Sequence, residues 1–475
     1  MNTLHFFNSI AKSKNTVLKI FFPKNYMSCF LRICTKAKKL IFVALLLTFY
    51  DLFAFMERLQ GIIGIVLILG IAFLFSNNKK RINYRLVFSG LGLQALIGIL
   101  VFKVPVITKF FQLVGDAMGK LESFARQGAA FVYGGIGVSQ PDGLFKDYAG
   151  GGFVFAFNVT ATIILVCVLV AVLYHYGIMQ RVVAVIARAM NFVMRVSGAE
   201  ALSNVASAFV GQVEAQVMIR PYLSSMTKSE VLASMSGSLA CIAGGILVVY
   251  VNMGAQAGMH IAPFLITASL MAAPGALVIS KIVFPETEES VTMGRVKMEV
   301  KSNYTNVIDA ISHGAGDGFK IAMNVIAMLI GFIAFIALID WILIHIGHLF
   351  NPNFNLSLDW IFGQIFTPMA WAMGVPSTDV QSVATLLGQK LTINEFVAFK
   401  SLTSHNVPVL SQKGIAIVTI AIAGFANFSS VGMQIGGIGE LAPDRRSDLA
   451  KLGLKALLCG TLASYMSATI AGILL

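Results

Sequence analysis

The chain has 475 residues, of which 57% are hydrophobic and only 12% charged, and its mean hydropathy is +0.80. A soluble globular domain carries about 25% charged residues, so an ordinary soluble fold is excluded. The formal net charge of +13 is not a nucleic-acid footprint: eight Lys or Arg against one Asp fall in residues 1–55, and the rest sits mostly near the ends of apolar runs, as in positively charged cytoplasmic loops.

The apolar runs are long and continuous, which separates an α-helical membrane protein from a barrel of short alternating strands. The length leaves room for about eight to ten spans. Residues 1–55 carry the basic excess and an apolar run, Leu40 to Phe55. Met56-Glu57-Arg58 reads as a fresh start, so residues 1–55 are expected to be a gene-model extension, the alternative being an extra N-terminal span.

The first clear span is expected at Ile62 to Phe75, ending at Lys79-Lys80-Arg81 and Arg85, a cluster that places this end in the cytoplasm. Leu86 to Phe102 returns outward, and the glycine-rich stretch from Tyr133 to Gly152 reads as an external connection. Phe153 to Tyr174 runs inward. Arginines at 181, 188 and 195 then share one helix face, as in a basic amphipathic helix lying along the interface. Residues 200–226 are apolar but interrupted by Ser203, Asn204, Ser207, Gly211, Gln212 and Glu214, and each arm is too short to cross. A re-entrant hairpin fits, because non-helical backbone is tolerated at that depth where it lines a cavity. Two spans are expected next, Val231 to Met253 and Ile261 to Phe284.

The second half repeats this order. Asn306 to Phe319 reads as an interfacial helix and Ile321 to Ile344 as a span. Asp379 to Asn406 is a second interrupted stretch, with Gly388, Gln389, Asn394 and Glu395. Ile415 to Met433 and Leu449 to Leu475 are spans on either side of Asp444-Arg445-Arg446. Charge placement makes the two hairpins enter from opposite sides, an inverted repeat of the kind that holds a solute at the midplane of secondary transporters.

Two glutamates lie inside these hairpins. A carboxylate at bilayer depth costs at least ~2.5 kcal/mol, so Glu214 and Glu395 are candidate functional residues. Gln212 and Glu214 offer donors and acceptors suited to a heterocyclic base or an amide. Glu395 with Asn394, Asn427 and Ser430 could grip vicinal hydroxyls, and Phe425 offers a ring surface. Asn427 and Ser430 could equally be glue between helices. The five cysteines have neither even number nor metal-site spacing and read as packing residues, and no metal site is expected.

Several blocks resemble the concentrative nucleoside transporter family, whose bacterial members are nucleoside permeases. They are Gly211-Gln212-Val213-Glu214-Ala215, Ile219-Arg220-Pro221-Tyr222-Leu223, Met271-Ala272-Ala273-Pro274-Gly275, Pro285-Glu286-Thr287-Glu288-Glu289, Asn394-Glu395-Phe396-Val397-Ala398, Gly424-Phe425-Ala426-Asn427-Phe428-Ser429-Ser430 and Leu441-Ala442-Pro443-Asp444-Arg445-Arg446. The likeness covers about residues 57–475. It implies an all-α polytopic protein of the cytoplasmic (inner) membrane with eight transmembrane helices, two re-entrant hairpins in inverted repeats, and interfacial helices. It also implies a homotrimer in the lipid bilayer that imports nucleosides by ion symport, each protomer having a sliding transport part and a scaffold, with neither nucleic acid nor bound cofactor.

The division that follows is 1–55 as extension, 56–198 as N-terminal spans and interfacial helices, and 199–475 as the transport core, with a scaffold span at about 321–344. By position, Gln212 and Glu214 look like base-reading residues, Glu395, Asn427 and Ser430 like the ribose set, and Phe425 like the pocket aromatic. The ion-coupling candidates are Ser207, Val210, Glu214 and Glu395. Sodium-using members often have Asn at position 207, usually Thr at 213 and often Ser at 245, where this chain has Ser, Val and Gly. Fewer oxygen ligands favour co-transported H+ over Na+. A carrier of another hydroxylated solute, a receptor or an intramembrane enzyme are the competing readings. The enzyme is weakened by the lack of an aspartate pair, a GxSxG nucleophile or a metal-ligand set.

Overall fold

The computed structural model describes residues 59–134, 155–293, 304–352, 354–404 and 410–475. The basic extension 1–55 and most of the glycine-rich connection lie outside them. Among the described residues every regular element is a helix. Many helices start where the sequence supplies a capping oxygen. Asn83, Ser197, Thr227, Asn306, Ser357, Asn394, Ser411 and Asn427 each accept a backbone N–H from the first turn that follows. Ser197 with Glu200, and Thr227 with Glu230, complete reciprocal capping boxes.

The N-terminal group is α1 (Leu59–Leu74), α2 (Tyr84–Lys103) and α3 (Pro105–Tyr133). The first repeat follows: α4 (Phe155–His175), α5 (Ile178–Met194), α6 (Gly198–Ser207), the single turns α7 (Glu214–Val217) and α8 (Arg220–Leu223), α9 (Lys228–Ala240), α10 (Gly244–Gln256) and α11 (Ala262–Val283). The second is α12 (Val307–Phe350), α13 (Leu358–Ala372), α14 (Val380–Thr392), α15 (Glu395–Thr403), α16 (Gln412–Ile422), α17 (Phe428–Leu441) and α18 (Arg446–Leu474). Each repeat thus runs as span, lateral helix, hairpin, broken span, unbroken span. Counting α9 with α10 and α16 with α17 as one broken span each, the described residues hold the expected eight spans and two hairpins.

Three expectations change in detail. The span placed at Val231 to Met253 is interrupted at Cys241 to Ala243, and that at Ile415 to Met433 at Ala423 to Asn427. The interfacial helix at Asn306 to Phe319 and the span from Ile321 are one helix, because nothing between Phe319 and Ile321 stops it. The α13 helix was not legible as an element: Asp359, Gly363, Gln364 and Pro368 dilute its apolar run.

The core is built on α9, α11 and α18, which pack on one another and bury most of their side chains. Their many Ala, Gly and Ser residues let backbones approach without large side chains between them. The two helix breaks meet here. Phe425 N–H donates to the Cys241 carbonyl at 3.3 Å. A Cβ at Gly424 would lie 2.4 Å from the Ala240 carbonyl oxygen, so the crossing requires glycine. Backbone groups left free by one break are thereby partly satisfied by the other.

The α4 and α12 helices form a second group, packed chiefly along each other. Gly314 and Gly318 place α12 against the α4 backbone at Val168 and Ile164. A bend of 78° separates α4 from α5 and turns the chain back toward the core.

Candidate functional site

A cavity of about 830 Å³ lies between the α4–α12 pair and the hairpin tips and helix breaks that face it. One wall is α4 and α12, through Ile163, Cys167, Tyr174, His313, Asp317 and Lys320. The other is the tip of the first hairpin from Phe209 to Glu214, the start of α10, the Asn394 to Phe396 turn, and Phe425, Ser430 and Met433.

Local sequence explains why the polar groups point inward. Gly211 adopts φ +127°, a conformation that costs glycine little. The Glu214 carboxylate folds back over it, 2.4 Å from where a Cβ would stand. Glu214 then begins α7, and Glu395 begins α15 behind its cap Asn394, whose side chain accepts the Val397 N–H at 2.9 Å. Both carboxylates therefore sit at helix starts, where unpaired N–H groups and the helix dipole favour negative charge. Gly244 opens α10 and Asn427 caps α17, so four helix starts border the cavity region.

Asn427 holds three relations at once. Its Oδ1 accepts the Ser430 N–H at 2.8 Å and the Ser429 hydroxyl at 2.8 Å, while its Nδ2 donates to Glu395 Oε2 at 2.7 Å. It is only 1% exposed, so it lies behind Glu395 rather than on the cavity wall. Tyr250 of α10 stacks on Phe399 with ring centroids 4.2 Å apart, and its hydroxyl faces Glu395. Gln212 reaches across to Met433, with Nε2 3.9 Å from the sulfur.

The structure brings Gln212, Glu214, Glu395, Phe425, Ser430 and Val210 to one cavity, with Asn427 immediately behind. Ser207 is not on the wall. Its hydroxyl donates to the Ser203 carbonyl at 2.7 Å and lies 2.8 Å from Ser238 Oγ. From there a buried polar string continues through Gln216 Nε2, 2.8 Å from Ser238, to Ser234, which donates to Gln216 Oε1 at 2.6 Å.

Other residues on the wall were missed in the sequence. Cys167, read as a packing residue, is half-buried on the cavity face of α4. Tyr174, Tyr250, His313, Asp317 and Lys320 lie outside the hairpins on which the glutamates drew attention. The i, i+4, i+7 spacing of His313, Asp317 and Lys320 was the signal available. Among the described residues no cluster of three His, Cys, Asp or Glu side chains could hold a metal ion.

The base of the first hairpin is fixed by a buried ion cluster. Lys281 Nζ lies 2.8 Å from Glu200 Oε2 and 3.1 Å from Glu286 Oε2, and also donates to Ser229 Oγ at 3.0 Å. Thr227 Oγ1 donates to Glu286 at 2.8 Å, and Glu230 accepts hydroxyls from Ser290 and Thr292. The hairpin, α9, α11 and the loop after α11 are thus tied together at one end, leaving the tip to face the cavity.

Three family profiles match successive stretches. Residues 63–136 match the N-terminus of the Na+ dependent nucleoside transporter, 156–257 a nucleoside recognition (Gate) domain, and 264–472 the C-terminus of the same transporter. The chain is 37% identical over 421 residues to the nucleoside permease NupC of Helicobacter pylori, covering 88% of this chain and 98% of that protein. It is 38% identical to the sodium/nucleoside cotransporter 1 of Mus musculus, covering 88% of this chain but 64% of the mouse protein. Among solved structures, CNTnw in an inward-facing substrate-bound state superposes with a TM-score of 0.81 at 39% identity, covering 88% of this chain and 97% of the other. With its two hairpins, crossed broken spans and matched sequence, this chain belongs to the concentrative nucleoside transporter family and is a multi-pass membrane protein.

Proposed function

We propose that the chain imports nucleosides across the cytoplasmic membrane by symport, with protons favoured over sodium as the coupling ion. The observation that carries the substrate reading is the Asn427–Glu395 pair, which holds a carboxylate at the same cavity as Gln212 and Glu214. A carboxylate is acceptor-only and can take two hydroxyl hydrogen bonds at once, as vicinal ribose hydroxyls require. In this reading Glu395, Asn427 and Ser430 hold the sugar, Gln212 and Glu214 read the base, and Phe425 covers a ring face.

The proton reading is supported by the side chain at position 207. A serine replaces the asparagine common in sodium-using members, and its oxygen is engaged with Ser203 and Ser238. Val210 and the two glutamates complete the coupling candidates. Uptake of labelled uridine into proteoliposomes, with sodium replaced by choline at two pH values, tests this. Uptake driven by an inward proton gradient without sodium is expected; dependence on sodium at fixed pH rejects proton coupling.

The same reading makes α4 and α12 the scaffold against which the hairpins and core move. The outward faces of α12, with Phe335, Leu338 and Trp341 exposed, suit lipid or the neighbouring copies of a homotrimer. Cross-linking and mass measurement in detergent test the trimer.

A further inference from the structure

At about 830 Å³ the cavity lies near the upper end of the roughly 300–1,000 Å³ that pockets for drug-sized ligands occupy, which is ample for a nucleoside. The residues assigned to the nucleoside stand on the hairpin tips and helix breaks, and the α4–α12 wall takes no part in that assignment. The two walls differ in wetness. Glu395 is 8% exposed, whereas the side chains of His313, Asp317 and Lys320 are 63%, 60% and 78% exposed. The cavity therefore opens toward the start of α12. That helix follows the basic segment with Arg295, Lys297 and Lys301, so by charge placement the mouth is cytoplasmic.

Three rings line this mouth. Tyr304, just ahead of α12, stands edge-on to Tyr174 near the end of α4, with ring centroids 6.5 Å apart and planes at 77°. The His313 ring lies 5.7 Å from that of Tyr304. Tyrosines are common at membrane surfaces, where their rings meet lipid headgroups. Tyr176, 57% exposed and off the cavity wall, fits that description, whereas Tyr174, Tyr304 and His313 all face the cavity. The start of α12 holds them in place. Asp309 Oδ2 accepts the Thr305 N–H at 2.9 Å, which fixes the backbone beside Tyr304, and Asp309 Oδ1 lies 3.5 Å from His313 Nε2. Asn306 caps the helix by accepting the Asp309 N–H at 2.9 Å. One turn further on, Asp317 and Lys320 lie 3.9 Å apart and present an acceptor and a donor to the same space.

We propose that Tyr174, Tyr304 and His313, with Asp317 and Lys320 beside them, form a second nucleobase-binding station at the cytoplasmic mouth, separate from the hairpin site. Every base has a π face that stacks on aromatic side chains, and one such stack is worth about fivefold or more in affinity. The edge of a base carries N–H and C=O groups, which match a carboxylate and an ammonium. Recognition of this kind reads the base and ignores the sugar, the reverse of a carboxylate that takes ribose hydroxyls. If the hairpins move against α4 and α12, the station stays fixed while the deep site travels, and a nucleoside released from Glu395 meets it before bulk water. The proposal rests on the nucleoside reading for its ligand.

The test uses the full chain in lipid nanodiscs, irradiated with 4-thiouridine, with the adducts located by mass spectrometry. Two groups of adducts are expected, one on the hairpin wall around Gln212 and Phe425 and one at Tyr174, Tyr304 or His313. Glu395→Gln should reduce the first about tenfold or more at limiting ligand and leave the second within about twofold. Tyr304→Leu should reduce the second about fivefold or more and spare the first, whereas Tyr304→Phe, which keeps the ring, should preserve both. In the wild-type chain, which needs no variant to fold, free uracil should protect the mouth and ribose should not. Adducts confined to the hairpin wall would overturn the station and leave the transport reading standing. Two groups that fall together in Glu395→Gln would mean one ligand touching both walls, and protection by ribose but not uracil would mean that the rings do not stack a base; either result also overturns the station. Wild-type protein that gives mouth adducts yet takes up no uridine would refute the transport reading alone.

Discussion

Asn427 both caps α17 and fixes Glu395, and the two jobs can be separated. Asn427→Ala removes the oxygen that accepts the Ser430 N–H and the nitrogen that donates to Glu395. Loss of an N-cap costs about 1 kcal/mol, and loss of a hydrogen bond to a charged group about 1.5–3 kcal/mol. Asn427→Ser retains a capping oxygen, because serine caps nearly as well as asparagine, but it supplies no amide donor. Both variants should therefore lose uridine affinity by about 10- to 150-fold, since about 1.4 kcal/mol is tenfold. Only the alanine variant should show a further drop in thermal stability. Binding of labelled uridine to purified protein, with thermal unfolding of the same samples, provides both readouts. Wild-type affinity in Asn427→Ser would show that the amide–carboxylate bond does not organise the site, and the assignment of Glu395 to ligand hydroxyls would lose its structural support.

Glu395→Gln should weaken uridine about tenfold or more relative to 2′,3′-dideoxyuridine in competition uptake, because the lost acceptor serves the sugar. Lys281→Met should cost about 3–5 kcal/mol in unfolding experiments, as it strands Glu200 in a dry interior beside Glu286. Gly424→Ala should cost about 1–3 kcal/mol or more, because its methyl would press on the Ala240 carbonyl; a wild-type melting curve would show that the broken spans do not cross this closely. Cys167 should react with a small water-soluble thiol reagent from the cavity, and uridine should slow that reaction. Cys167→Ala should lose the cavity-dependent labelling, as Cys241 and Cys459 are buried.

The hairpins and their glutamates were legible because their signals are local. Apolar runs too short to cross, broken by Gly, Asn and Glu, announce re-entry without any knowledge of neighbours. The breaks inside the two crossed spans were less so. Ser429, Ser430 and Asn427 disturb the second visibly, but Cys241 and Ala243 do not disturb the first, whose interruption is imposed by the helix that crosses it. The same limit applies to the wall formed by α4 and α12. Cys167 and Tyr174 look like ordinary members of an apolar helix, and only their partners across the cavity give them a role. Ser207 is the converse case. Its position in the hairpin was evident, but the string of hydroxyls and amides that engages it depends on α9 lying alongside.

The length of α12 has a mechanical consequence. A continuous helix of 44 residues measures about 66 Å, whereas the hydrocarbon layer is about 30 Å thick. Such a rod has to lie steeply oblique or project into water, with the polar His313, Asp317 and Lys320 in its first part and a long apolar stretch beyond them. If the hairpins move against α4 and α12 as proposed above, a helix this long would keep a wall at their side, so a solute would change depth while staying enclosed laterally.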